Sequence, residues 1–232
     1  MSLTSRLYFL VQPMHILSAS EAFEELRRND PLRDFFTRWD HVNPDEYTAL
    51  SSALDGAKRE EDIQQFLQMN PQLLIQHLGG GHGRWVLPKQ KLGAEHVTDF
   101  VIAEKHSFGF EWKAVELESP LRPMFNKNGD PSQYLNHAIR QVTDWRAWLK
   151  SNQAYASRPK ADGGLGLTDI DANVKGLILI GRRAAIDPET NARRRQLVQD
   201  LNIDIHSFDY LLQSLKGRLV SLKKLPEQEV SE

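Results

Sequence analysis

Hydrophobic positions change their spacing along this chain, and each change marks an element. Residues 5–11 carry the run Leu7-Tyr8-Phe9-Leu10-Val11 and read as a short strand stopped at Gln12-Pro13. Ile16, Ala19, Phe23 and Leu26 then recur at helical spacing, which predicts a helix over 16–28. Pro31 restarts a helix bearing Phe35, Phe36 and Trp39. Asn43-Pro44-Asp45-Glu46 is a further helix start: Asn caps, Pro takes the first turn, and the acids meet the positive end of the helix dipole. Residues 1–55 thus read as a helical N-terminal elaboration without catalytic candidates.

The pattern is more regular over 56–224, which reads as one α/β domain. Ile63, Phe66 and Leu67 share a face of a helix over 58–69, and Asn70-Pro71 ends it and opens a second short helix through Leu78. Gly79-Gly80-Gly81-His82-Gly83 is a flexible loop. Strands are predicted over 85–92, broken at Pro88, then over 97–103 and 110–118, the last closed by Ser119-Pro120. After a loop over 121–131, Leu135, Ile139, Val142, Trp145 and Leu149 form the stripe of a helix running from Ser132 to about Ser151. Val174 to Ile180 is a near-continuous apolar run, the mark of a strand buried on both faces. A basic helix over 188–201, a strand over 203–207 and a helix over 208–222 follow, with a disordered tail over 225–232. The order predicts a mixed sheet flanked by helices, antiparallel first and with a crossover later.

Composition narrows the chemistry. With 40% hydrophobic and 26% charged residues, the 232-residue chain has the balance of a folded protein. Its 29 Lys and Arg against 31 Asp and Glu give a net charge of -2, which excludes a uniformly basic nucleic-acid binder but leaves room for a local patch. The absence of cysteine removes disulfides, thiolate zinc sites and cysteine nucleophiles together. Arg6 and the apolar run after it imitate a signal peptide, but Gln12, Pro13 and His15 interrupt it and no cleavage site follows. No apolar run approaches the roughly 20 residues of a membrane span, so the expectation is a cytoplasmic chain with no membrane partner. P-loop, dinucleotide, nucleophile-elbow and His-Glu-x-x-His patterns are all missing.

The candidate chemistry lies between Thr98 and Pro120. Centring the hairpin turn on His106-Ser107 puts Asp99 opposite Ala114, one diagonal from Glu116, and period-two alternation puts Glu116 and Glu118 on one face. Three carboxylates so close repel unless a cation lies among them, and hard oxygen ligands suit Mg²⁺ or Mn²⁺. The plain alternative is a solvated acidic face of an antiparallel pair. Glu111-Trp112-Lys113 competes as an acid-x-Lys pattern, but the same register sets Glu111 opposite Ile102, far from Asp99.

Asp99-Phe100-Val101, Val115-Glu116-Leu117-Glu118-Ser119-Pro120, Phe125, Gly129 and His137-Ala138-Ile139-x-Gln141-Val142-x-Asp144-Trp145 together resemble the nuclease domain of Shedu-type anti-phage proteins, of the PD-(D/E)xK nuclease superfamily. Glu60-x-x-x-Gln64-x-Phe66-Leu67-x-x-Asn70-Pro71 extends the resemblance upstream. It implies a restriction-endonuclease-like fold over about residues 58–215 and a metal-dependent DNA endonuclease in bacterial defence. It also implies Asp99, Glu116 and Glu60 as metal ligands and Gln141 facing the site from the following helix. Glu118 departs from the pattern, which places a lysine there to steady developing phosphate charge. Replacement cations suggested by position are Arg122, Arg140 and Lys113, of which Lys113 has the wrong strand parity.

Arg182, Arg183, Arg193 and Arg194 offer, with Arg122 and Arg140, a basic surface for DNA phosphates; the alternative is a solvated helix face diluted by Asp187, Glu189 and Asp200. His137 has no orienting partner in the sequence and reads as a packed or capping histidine. The competing function is a catalytically silent relative that binds nucleic acid or assembles with partners, and association with copies of itself stays open.

Overall fold

The computed structural model describes residues 30–79 and 81–224. The strand expected over 5–11, the helix over 16–28 and the tail over 225–232 lie outside the described residues.

Helix α1 (Pro44–Gly56) begins where the sequence places it. The Asn43 side chain accepts from the N–H groups of Asp45 and Glu46, and the Glu46 carboxylate accepts in return from the Asn43 N–H, completing a capping box. Helix α2 (Glu60–Met69) buries Ile63, Gln64 and Leu67. Two helices expected here do not form. The segment after Pro31 makes only a 3₁₀ turn (Arg33–Phe35), because Phe36 then bridges to Trp85 and the Thr37 N–H donates to the Arg84 carbonyl at 2.8 Å. The segment after Asn70 is likewise a 3₁₀ turn (Pro71–Leu74) rather than a helix to Leu78.

Five strands form the main sheet: β1 (Gly83–Pro88), β4 (Phe100–His106), β5 (Gly109–Leu117), β6 (Lys175–Leu179) and β7 (Ile203–His206), ordered β1-β4-β5-β6-β7. Two short strands, β2 (Lys91–Leu92) and β3 (His96–Val97), pair separately. The strands expected over 85–92 and 97–103 are therefore each divided. The interruption falls at Lys89, whose φ of 48° no strand accommodates. β1, β4 and β5 pair antiparallel, while β5, β6 and β7 pair parallel through α3 (Gln133–Ser157) and α4 (Pro188–Leu201). Helix α5 (Asp209–Ser221) closes the order.

The sheet buries both faces. Ala114, Ile178, Ile203 and Ile205 face a core shared with Val142, Trp145 and Leu149 of α3. Val115, Leu117, Leu177 and Leu179 face a second core shared with α1, α2 and α5. The Val174–Ile180 run thus fills both cores, as its lack of alternation predicts. Gly176 sets how closely α3 approaches: a Cβ there would lie 2.9 Å from the Val142 side chain and 3.0 Å from that of Ile203.

Register sets the site. The hairpin closes one position later than expected, with His106 paired to Gly109 around the two-residue turn Ser107-Phe108. Gly109 has φ 122°, which lets β5 start immediately after the turn. Phe100 pairs with Val115, so the next position along the ladder sets Asp99 opposite Glu116 rather than Ala114. The same correction moves Glu111 from Ile102 to Glu104.

Candidate active site

Asp99 and Glu116 lie on the α3 side of the sheet where β4 begins and β5 ends, and both are buried. Asp99 is held from three directions. Its Oδ2 accepts from the Leu117 N–H at 2.8 Å, and its Oδ1 accepts from the Gln64 side-chain amide of α2 and from Lys89 Nζ at 3.0 Å. Glu116 Oε1 accepts from the Gln141 side-chain amide of α3. Glutamines on two helices thus each carry one acid of the pair.

The field among these groups is strongly negative. Burial, reinforced by Asp99, Glu60 and Glu118, pushes the Glu116 carboxyl up to about 10, so at neutral pH it keeps its proton. Glu60, at the start of α2, is raised to about 7 by burial and then by Asp99 and Glu118. Glu118 is raised by burial, with His137 opposing that shift. The four acids therefore share one electrostatic neighbourhood.

Glu118 follows the end of β5, fixed by its N–H donating to the Leu179 carbonyl at 2.9 Å. Its Oε1 lies 3.2 Å from His137 Nδ1 on the first turns of α3. His137 therefore does have an orienting partner. It is missed in the sequence because the pair forms only when α3 folds back on β5. His137, Arg140, Gln133, Tyr134 and Asn136 line an open groove of about 470 Å³. Arg122 lies over the Tyr134 ring at 4.4 Å, just past the strand that carries the acids.

The other arginines expected at DNA have partners within the fold. Arg182 pairs with Asp55 at 2.6 Å and with Asp209 at 3.2 Å. Arg183 donates to Gln213, Arg193 to the Gly129 carbonyl and Glu189, and Arg194 to the Ile205 carbonyl and Asn191. Lys113, as its parity requires, is away from the acids, 3.8 Å from Asp204. Lys89 is passed over by sequence reasoning, and Gln64, quoted there within the upstream resemblance, is given no role. Gln64 had a signal, since it falls four residues after Glu60 and therefore on the same helix face.

The donor set suits a hard divalent ion: the carboxyl oxygens of Asp99 and Glu116 are buried at one end of the sheet, and a bound cation would displace the proton that burial and the neighbouring acids hold on Glu116. Among the described residues, however, no three acidic or histidine side chains are preassembled as a metal centre. The pair that faces inward together is Asp99 and Glu116, with Glu60 contributing to their field.

An antiparallel hairpin passing into a parallel crossover, helices on both faces and acids at one end of adjacent strands make a restriction-endonuclease-like fold. The family described as Shedu protein SduA, C-terminal, matches residues 57–212, and the chain belongs to it. No curated protein matches. Among solved structures, restriction endonuclease FokI bound to DNA is similar at a TM-score of 0.41 and 15% identity over 94% of this chain. FokI in a second structure gives 0.35 and 16% over 97%. This chain spans 34% of the length of either FokI chain. Among the described residues, no helix is long and apolar enough to cross a membrane.

Proposed function

We propose that this chain is a metal-dependent DNA endonuclease of the Shedu type, acting in the bacterial cytoplasm against phage. The observation that carries this reading is the inward-facing pair Asp99 and Glu116, buried under a shared negative field and each held by a glutamine from a different helix. Asp99 and Glu116 would hold Mg²⁺ or Mn²⁺, with Glu60 near enough to add charge. Such an ion, when bound, polarises a phosphodiester oxygen and lowers the pKa of a coordinated water. The chain's own residues do the rest. Gln141 orients Glu116; Gln64 and the Leu117 N–H fix Asp99. Glu118 aims His137 toward the groove, where Arg122 and Arg140 can meet the DNA backbone.

The test is cleavage of supercoiled and linear DNA with Mg²⁺ or Mn²⁺ against an EDTA control. The expected result is cutting that EDTA abolishes and that Asp99→Ala and Glu116→Ala each eliminate while leaving the protein folded. A second reading, a nuclease-fold protein that binds DNA without cutting it, draws support from Glu118 at the usual lysine position and from the lack, among the described residues, of a preassembled ligand trio. Metal-independent DNA binding with no cleavage of any substrate would establish that reading in place of the first.

A further inference from the structure

The acid cluster leaves open which residue supplies positive charge to it. Two candidates make no ion pair with it: Arg122 stacks over Tyr134 and acts on Glu118 only through its field, and Lys113 turns to Asp204. Among the described residues, Lys89 is the lysine or arginine that forms an ion pair with any of the four carboxylates, its Nζ 3.0 Å from Asp99 Oδ1.

Its backbone is unusual as well. Lys89 has φ 48°, in the left-handed region that glycine occupies freely and other residues rarely do. Three other non-glycine residues share this conformation for ordinary reasons. Asn202 ends α4, Lys223 follows the end of α5, and Asp169 uses its carboxylate to accept from the Phe110 N–H. Lys89 is no helix cap. It lies just past β1, where its N–H donates to the Asp99 carbonyl at 2.9 Å and the next residue, Gln90, accepts from Thr98 at 3.0 Å. These bonds continue the β1/β4 ladder and set Lys89 directly across from Asp99. The residue thus holds a costly backbone conformation where its amine reaches the buried acid, a pattern met where a side chain is used. The amine is also at the mouth of the site: the Lys89 side chain is 46% exposed and that of Asp99 9%. A short swing would carry it from the carboxylate to an incoming phosphate oxygen.

We infer that Lys89 is the cation of this site, supplying from the turn after β1 the charge that Glu118 cannot. The inference rests on the nuclease reading and adds to it a phosphate-contacting residue. At the scissile phosphate an ammonium would steady the negative charge that develops on the non-bridging oxygens.

Glycine separates this role from a structural one, because Lys89→Gly removes the amine and relieves the backbone at once. The probes are cleavage in Mn²⁺ and the salt dependence of binding to a fluorescent DNA duplex in Ca²⁺. Lys89→Gly should melt no lower than the wild type. It should cut about a hundredfold more slowly, in line with loss of one charge-stabilising donor. Its slope of log K against log salt should shrink by about 0.9, one phosphate contact. Lys89→Arg should restore the slope. If the wild type cuts and Lys89→Gly matches it in rate and slope, this inference alone is overturned. A lowered melting temperature with no recovery in Lys89→Arg would equally reject it in favour of a structural lysine. A wild type that neither binds nor cuts DNA would overturn both this and the nuclease reading.

Discussion

At the scale of single residues, the site works by opposing what folding prefers. Glu116 is buried among acids, and its carboxyl is pushed up to about 10; Glu60 beside it is raised to about 7. A carboxyl that binds its proton more tightly folded than unfolded stabilises the fold below its ordinary pKa, and that contribution fades as pH rises toward the folded value. For Glu60 the window runs from about 4.5 to about 7, and for Glu116 from about 4.5 to about 10. In EDTA the wild type should therefore lose stability steadily between roughly pH 5 and pH 9. Glu116→Gln, which keeps the shape and cannot ionise, should flatten that slope. At neutral pH it should be the more stable protein by at least about 1 kcal/mol, the equivalent of a pKa unit. Chemical denaturation across pH measures both; a Glu116→Gln curve parallel to the wild type would mean that the carboxyl is not crowded.

At the scale of elements, the site depends on how close α3 comes to the sheet. Val142 follows Gln141 and packs where Gly176 has no side chain, so the glutamine that holds Glu116 is positioned by a contact on the core face. Gly176→Ala introduces a methyl 2.9 Å from Val142 and 3.0 Å from Ile203, and should push α3 outward at a cost of about 1–3 kcal/mol for overpacking. Cleavage should fall along with the melting temperature. Gly176→Ala combined with Val142→Ala should recover both, a coupling expected only between touching residues. Recovery of stability without recovery of cleavage would show that the approach of α3 does not position Gln141. The same elements explain what was legible in the sequence. Strand order, the α3 stripe and the doubly buried β6 could be read because alternation and apolar runs are local properties. The hairpin register could not, because Gly109 rather than a central polar pair decides where β5 starts. The helix expected after Pro31 yields to a long-range bridge between Phe36 and Trp85. Asp99, Glu116 and Gln141 were visible as a constellation. Lys89 was not, since its link to Asp99 runs through a ladder that continues across a break between strands.

At the scale of the whole molecule, the nuclease reading requires a chain of net charge -2 to concentrate its attraction for DNA rather than spread it. The fold divides the arginines accordingly. Arg182 ties Asp55 near the end of α1 to Asp209 at the start of α5, with a side chain 28% exposed, so it joins elements far apart in sequence around the end of β6. Arg193 anchors α4 to the loop after β5 through the Gly129 carbonyl. Arg122 and Arg140 instead are exposed, Arg140 lining the groove beside His137 and Arg122 covering one of its walls at Tyr134. The two sets should separate in experiment. Arg182→Ala should cost about 1–3 kcal/mol of stability, the range for losing charged hydrogen bonds, and leave the salt dependence of DNA binding unchanged. Arg122→Ala and Arg140→Ala should leave the melting temperature close to that of the wild type and each reduce the salt slope by about 0.9. The wild-type slope itself should be shallow, roughly -2 to -3, because this reading gives the DNA three contacts, Lys89, Arg122 and Arg140. A steep slope that drops in Arg182→Ala and Arg193→Ala would instead put the DNA across α4 and the β6 end of the sheet, with the inter-element ion pairs opening to meet it.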